Sequence, residues 1–269
     1  MVFPNKIKSL VTCLLLCLTV ANAQNRPFQP GEKLTYNAFY NLGMIWLHAG
    51  EVQFSVDQKP FGGKTAYFFE AVGKTIPKYD WMYKVRDYYK SYVDIDTFNS
   101  LWAERNTLEG SNKVYENYTF KPRDKHIYYT IKNSKTKLLK DTLQVSTNSV
   151  FDVLTLIYQC RNLNFERYKV NEKFPLRIIL DGKVYPIFLR YLGKEVIKNK
   201  DEKKYRCIRF SALLVEGSIF KGGEDMNIWV TDDDNRVPIL VEAKILIGSV
   251  KAYLRTMEGL KNEVKALVR

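Results

Sequence analysis

The sequence predicts an all-β protein with one central α-helix, its antiparallel strands forming curved sheets in a half-barrel or sandwich-like arrangement, with two related halves as a further expectation. Three observations carry this. In Glu51-Val52-Gln53-Phe54-Ser55-Val56-Asp57 the apolar residues fall on every second position, the period of a strand with one buried face. Ile178-Ile179-Leu180-Asp181-Gly182-Lys183-Val184-Tyr185 sets Asp-Gly between two apolar runs, the strongest short mark of a hairpin. Only Ser149 to Asn162 has helical periodicity, with Val150, Val153, Leu154 and Ile157 on one face and Ser149 and Asp152 placed as a capping box.

Residues 1–23 read as a secretory leader: basic at Lys6 and Lys8, apolar from Leu10 to Val20, and ending in Ala21-Asn22-Ala23 before Gln24. The apolar stretch falls short of the roughly 20 residues that a spanning helix needs. The expectation is an exported chain, residues 24–269, in the periplasm or at the periplasmic face of the outer membrane. Cys17 follows Leu15-Leu16, which raises a lipid-anchored form. It lies inside the apolar stretch with no small residue before it, and this favours the free form.

The strands follow in order. Leu34, Tyr36, Ala38 and Tyr40 alternate, and so do Tyr67, Phe69 and Ala71 with their neighbours. Val114–Lys121, His126–Lys132, Tyr205–Val215, Met226–Thr231 and Val237–Ile247 are further strands. Gly-Lys-Thr occurs at Gly63–Thr65 and again at Gly73–Thr75. A phosphate-binding loop needs a first glycine five residues earlier and a helix after it. Gln58 and Phe68 stand at the first position, and a β-forming run or Pro77 follows, so Gly62-Gly63 reads as a hairpin turn and nucleotide binding is excluded.

Two halves, about 31–147 and 171–257 with the helix about 149–162 between them, share short patterns. Gly31-Glu32-Lys33-Leu34 is echoed by Asn171-Glu172-Lys173-Phe174, and residues 92–110 align with 229–248 once one turn residue is inserted. Tyr92 then matches Trp229, and Glu104, Leu108 and Gly110 match Glu242, Leu246 and Gly248. This places both glutamates near a solvated rim and both leucines in the core. No Pro/Gly/Ser-rich linker separates the halves, so one shared core is expected.

Lys6 and Lys8 leave with the leader, and the formal charge of the chain falls from +13 to +11. An exported basic protein meets lipid headgroups, envelope glycan or acidic proteins; nucleic acid is the wrong partner for that compartment. The cations are spread without a run, which also suits plain solubility. The two cysteines beyond the leader, Cys160 and Cys207, could pair for roughly 3 to 4 kcal/mol or remain two buried thiols.

Residues 31–56, the helix end Tyr158-Gln159-Cys160-Arg161-Asn162, the strand around Arg206-Cys207-Ile208, and IWVTDDDNRVPI at 228–239 together resemble the exported family of unknown function known as domain of unknown function 3108. The acidic turn and proline pattern is also similar, at the level of fold, to half-barrel lipoprotein carriers, which implies a curved antiparallel sheet over a hydrophobic cavity. The family has no established catalytic residues to carry over.

The residues themselves name no reaction. Beyond the leader the histidines are His48 and His126, and H-E-x-x-H, C-x-x-C and G-x-S-x-G are absent, so neither a zinc site nor a Ser-His or Cys-His nucleophile is expected. No cofactor or metal is expected. Asp232-Asp233-Asp234-Asn235 reads as a turn rather than a calcium loop, and Cys160 beside Arg161 as a buried cysteine rather than an activated thiol. In Tyr79–Lys90 the aromatics Trp81, Tyr83, Tyr88 and Tyr89 are the candidates for ligand contact, since Tyr and Trp join an apolar face to a polar tip. The leading expectation is a non-enzymatic envelope scaffold binding an amphiphile, a glycan or a protein partner, with peripheral membrane contact in its range. The alternatives are a glycan-acting enzyme using Asp94, Asp96 or Glu104, and an assembly factor with no small ligand.

Overall fold

The computed structural model describes residues 25–42, 45–134, 137–214, 223–245 and 248–268; the expected leader and Leu246 lie outside them. Eight strands follow one another as a meander: β1 (Lys33–Leu42), β2 (Ile45–Phe61), β3 (Lys64–Thr75), β4 (Val85–Asp94), β5 (Ser100–Glu109), β6 (Asn112–Lys121), β7 (His126–Asn133) and β8 (Leu139–Gln144). The short β9 (Val150–Phe151) leads into α1 (Val153–Arg161). A second meander follows: β10 (Lys173–Leu180), β11 (Lys183–Lys198), β12 (Lys204–Leu214), β13 (Gly223–Thr231), β14 (Pro238–Lys244) and β15 (Ser249–Glu258), with β16 (Leu267–Val268) pairing with β12.

All of them join one sheet. The order runs β8 to β1, then β15 back to β10, then β9, with β1 antiparallel to β15. The two edge strands, β8 and β9, are consecutive in the chain, and residues 145–149 alone join them. That connection spans at most about 20 Å. The edges of a flat sheet of this width would stand about 70 Å apart at ~4.8 Å per strand, so the sheet must curl until its edges approach. Side chains make the closure: Ile127, Tyr129 and Ile131 of β7 and Tyr118 of β6 pack with Val150 and Ile179 of β9 and β10. Glu116 Oε1 and the Tyr118 hydroxyl accept hydrogen bonds from the backbone N–H groups of Asp181 and Gly182, both at 3.0 Å.

The expected strands are present, and Gly62-Gly63 turns the chain between β2 and β3. Within the aligned segments, the hairpins at 92–105 and 229–242 coincide in register. Tyr92 faces Trp102 and Val93 faces Ser100 across a bulge; Trp229 faces Leu240 and Val230 faces Pro238 across another. Each turn has a backbone bond across its mouth, Asp94 N to Asn99 O and Thr231 N to Val237 O, and each holds one non-glycine residue at positive φ, Phe98 and Arg236. Leu108 departs from expectation. It pairs with Arg86 and Lys113 on the outer face and is half-buried, because side chains alternate and Ala103, Thr107 and Glu109 take the inner face.

The helix is shorter than its sequence pattern. Ser149 lies in a left-handed turn, and Val150 and Phe151 pair in parallel with Arg177 and Ile178. Their apolar side chains are buried in the sheet, and α1 begins only after Asp152, which is its N-cap. Lodged inside the curl, α1 stacks Tyr158 on Phe69 of β3 at 4.0 Å between ring centres and packs Leu156 against β10 to β13. Its C-terminal Arg161 is buried, paired with Glu32 through two bonds of 2.5 and 2.9 Å, and donates to Asn235 O at 2.8 Å. Where the carrier resemblance implied a hydrophobic cavity, the described interior is filled by this helix and its aromatic neighbours. A cavity of about 20 Å³ remains between β4, β5, β6 and the start of α1, room for a single water.

Candidate functional site: an aromatic rim over a charged inner wall

At one end of the barrel, β3 and β4 are joined by Ile76–Lys84. Pro77 opens a 3-10 turn with φ already set for it, and Asp80 then folds back. Its carboxylate accepts from the Thr75 hydroxyl at 2.5 Å and from the Arg86 guanidinium at 2.5 and 3.1 Å; these bonds hold the Asp80 carboxyl below its usual pKa. Thr75 Oγ1 also accepts from Val85 N, and Ile76 N donates to Ala49 O at 2.8 Å. The loop is therefore tied at both ends and to β2.

What this tied loop shows to solvent is apolar. Trp81 is 83% exposed, and Met82 and Tyr83 are exposed beside it. One edge of the Tyr83 ring lies over Gly110, whose φ is +63°; a Cβ there would stand 2.9 Å from the ring, so only glycine fits the approach. The β1–β2 hairpin projects from the same end. Gly50 faces Thr75 at the end of β3, so residues 45–49 overhang it by roughly 15 Å at ~3.3 Å per residue, carrying exposed Ile45 and Trp46.

Below the rim the inner wall is charged. Asp87, Tyr89, Arg105, Thr107, Glu109 and Glu116 share the inner face of β4, β5 and β6 by cross-strand pairing. Arg105 reaches Glu116 at 3.8 Å and Asp181 of the β10–β11 turn at 3.6 Å. Burial, with Glu109 adding to it, pushes the Asp87 carboxyl up to about 7. Burial and the neighbouring Asp181 do the same for Glu116, also to about 7. Burial raises the Tyr89 hydroxyl to about 12. Asp87 Oδ1 and Thr107 Oγ1 are buried without a hydrogen-bond partner.

The four aromatic candidates are not brought together. Trp81 is at the loop tip and Tyr83 at the rim; Tyr88 points outward and Tyr89 inward, as adjacent residues of one strand must. The carboxylates weighed for catalysis are also apart. Asp94 Oδ1 accepts from Asp96 N, Thr97 N and the Thr97 hydroxyl within its own turn, Asp96 is in that turn, and Glu104 is on the outer face near the Tyr115 hydroxyl at 3.4 Å. Asp233 organises the second turn, accepting from Thr231 Oγ1, Asn235 N and Arg236 N, while Asp232 pairs with Lys194 and Asp234 with Lys265. Among the described residues no cluster of three metal-ligating side chains occurs. His48 stacks on Phe39, and His126 lies by Asp124 O.

Cys160 and Cys207 are free thiols in different apolar clusters, so the bridge left open by the sequence is not formed. Burial pushes both up to about 12, which keeps them protonated and unreactive at neutral pH. The charged wall escaped sequence reading. Arg105, Thr107 and Glu109 alternate with Glu104, Asn106 and Leu108, so neither set reads as the apolar face of the strand, and the signal for the burial of the first set lies in its strand partners.

A model of the family described as "Protein of unknown function (DUF3108)" matches residues 35–255. Among solved structures the chain is similar to the crystal structure of a beta-barrel-like protein of domain of unknown function DUF1849 from Brucella abortus, at 10% identity over 86% of this chain and 98% of that one, with a TM-score of 0.49. No curated protein sequence matches the chain.

Proposed function

The chain belongs to the DUF3108 family of unknown function, whose model spans residues 35–255, and we propose that it is an exported, non-enzymatic envelope scaffold that meets its ligand or partner at the rim around Trp81 rather than inside the barrel. One observation carries this reading. Trp81 is held almost fully in water on a loop immobilised by the Thr75–Asp80–Arg86 bonds. Such a side chain adds nothing to the core, and its ordering has already been met by folding, which lowers the cost of binding through it.

The enclosed space between β4, β5, β6 and α1 suits the same choice, since its volume of about 20 Å³ admits a water but neither a lipid tail nor a sugar. Carboxylate catalysis on a glycan needs two acids across a cleft, and Asp94, Asp96 and Glu104 do not face one another across one. The test compares the wild-type chain with a Trp81→Ala/Met82→Ala variant, both expressed with their leader, by cell fractionation. The wild type is expected with washed envelopes and released without detergent, and the variant in the osmotic-shock fluid. Equal distribution of the two would remove the rim as the contact site. Retention of the wild type in the cytoplasm would remove the envelope role.

A further inference from the structure

We propose that the rim is a docking surface for an anionic lipid bilayer, with Trp81, Met82 and Tyr83 on one projection and Ile45 and Trp46 on the other entering the headgroup layer; this rests on the rim being the contact site. The two projections stand at the same end of the barrel, and Ile76 N–Ala49 O ties them together. Their side chains are of the type that settles at a membrane interface, where an aromatic ring or flexible thioether is apolar on one side and wet on the other.

The shape favours a fluid surface over a folded protein partner. The described apolar side chains stand on two separate projections, Trp81, Met82 and Tyr83 on one and Ile45 and Trp46 on the other, and lipid headgroups flow around each.

Charge sets the kind of bilayer. Residues 74–84 read Lys-Thr-Ile-Pro-Lys-Tyr-Asp-Trp-Met-Tyr-Lys, and Asp80, the acid among them, is neutralised by Arg86 at 2.5 Å. Lys74, Lys78 and Lys84 are exposed, and among the described residues none of the three has a carboxylate within ion-pair distance. The carboxylates Asp87 and Glu109 are withdrawn onto the inner wall beneath the tips, and Glu51 is taken up by Arg255. An approaching surface therefore meets exposed lysines set around apolar tips. Each lysine near an anionic bilayer contributes about 1 kcal/mol, or roughly fivefold in partitioning.

The experiment uses the purified chain from Gln24 onward with vesicles of phosphatidylcholine alone and vesicles containing about one-third phosphatidylglycerol. Sedimentation is expected with the anionic vesicles, at least tenfold weaker with the neutral ones, accompanied by a blue shift of tryptophan emission. Lys78→Ala and Lys84→Ala should each weaken partitioning about fivefold, and Trp81→Ala/Met82→Ala should abolish both sedimentation and shift. Circular dichroism reports whether that variant keeps the fold; Trp102→Phe, on the outer strand face, should bind as the wild type does. Failure of the wild type to bind anionic vesicles, or equal binding by the rim variant, overturns the proposal. If vesicles do not bind while the rim variant still leaves the envelope fraction in cells, lipid is the wrong partner and the rim remains the contact site.

Discussion

Arg161 and Glu32 form a charge pair with almost no solvent contact, yet every strong acceptor and donor has a partner: the carboxylate takes two guanidinium bonds, and Asn235 O and Pro27 O take the rest. Removing one member leaves a buried charge without its counterion. Glu32→Gln is expected to lower stability by about 3–5 kcal/mol in urea unfolding, while Glu32→Leu combined with Arg161→Met should lose much less. Asp87 behaves in the opposite sense. Its folded carboxyl holds a proton up to about 7, against an ordinary value of 3.8. Over that interval the folded state binds more protons than the unfolded one, so its contribution is complete below about pH 4 and declines as pH rises to about 7. Asp87→Asn should match the wild type near pH 4 and exceed it at pH 8 by up to about 4 kcal/mol. Denaturant midpoints at the two pH values measure this; equal pH slopes in the two proteins would show that Asp87 is not the group responsible.

At the scale of elements, α1 is placed by its first residue. Asp152 caps it through Leu154 N and Thr155 N and accepts from the hydroxyls of Ser91, Ser100 and Thr155. One carboxylate thus joins the helix start to β4 and β5. Asp152→Ala would leave two strand hydroxyls and two helix amides without partners in the interior, at about 1–3 kcal/mol for an unsatisfied group. A loss above 3 kcal/mol is expected in thermal or urea unfolding, and a loss within the ~0.5–2 kcal/mol of an ordinary cap would show that the hydroxyls find other partners. The same distinction between faces separates Leu108 from Phe69. Leu108→Ala, on the half-buried outer face, is expected to cost about 1 kcal/mol, below the 2–5 of a core truncation. Phe69→Ala, stacked on Tyr158, should cost about 3–5 kcal/mol.

The whole molecule depends on a seam that, among the described residues, has no strand pairing. β6 and β7 meet the β10–β11 turn through side chains and two backbone donors, Asp181 N and Gly182 N. Gly182, at φ +71°, leaves 2.8 Å between the place of a Cβ and the Tyr129 ring. Gly182→Val should force that contact apart, at about 1–3 kcal/mol for overpacking plus the backbone strain of a β-branched residue at positive φ. Faster amide exchange in β7 and β9, with β1, β2 and β15 unchanged, is the expected pattern in hydrogen-exchange measurements. Uniform exchange across the sheet would mean that the seam opens only with global unfolding.

Strand and turn chemistry were legible from local pattern. Period-two alternation in β2 and β3, Asp181-Gly182, and the acidic turns before Asn99 and Val237 depend on residues a few positions apart, and these determined that the protein is an all-β meander with one helix. Local pattern also identified the aromatic segment that supplies the rim, because Trp81 and Tyr83 lie within one short loop. Three things rested on tertiary structure. Alternation defines two faces without saying which is inside, so Tyr89 and Arg105 were assigned to the interior only by contact with strands and helix far away in sequence. The helix start moved to Val153 because a parallel pairing with β10, more than 20 residues ahead, claimed Val150 and Phe151. α1 came to lie inside because a five-residue link brings the two edges of the sheet together around it, a global closure to which no local period is sensitive.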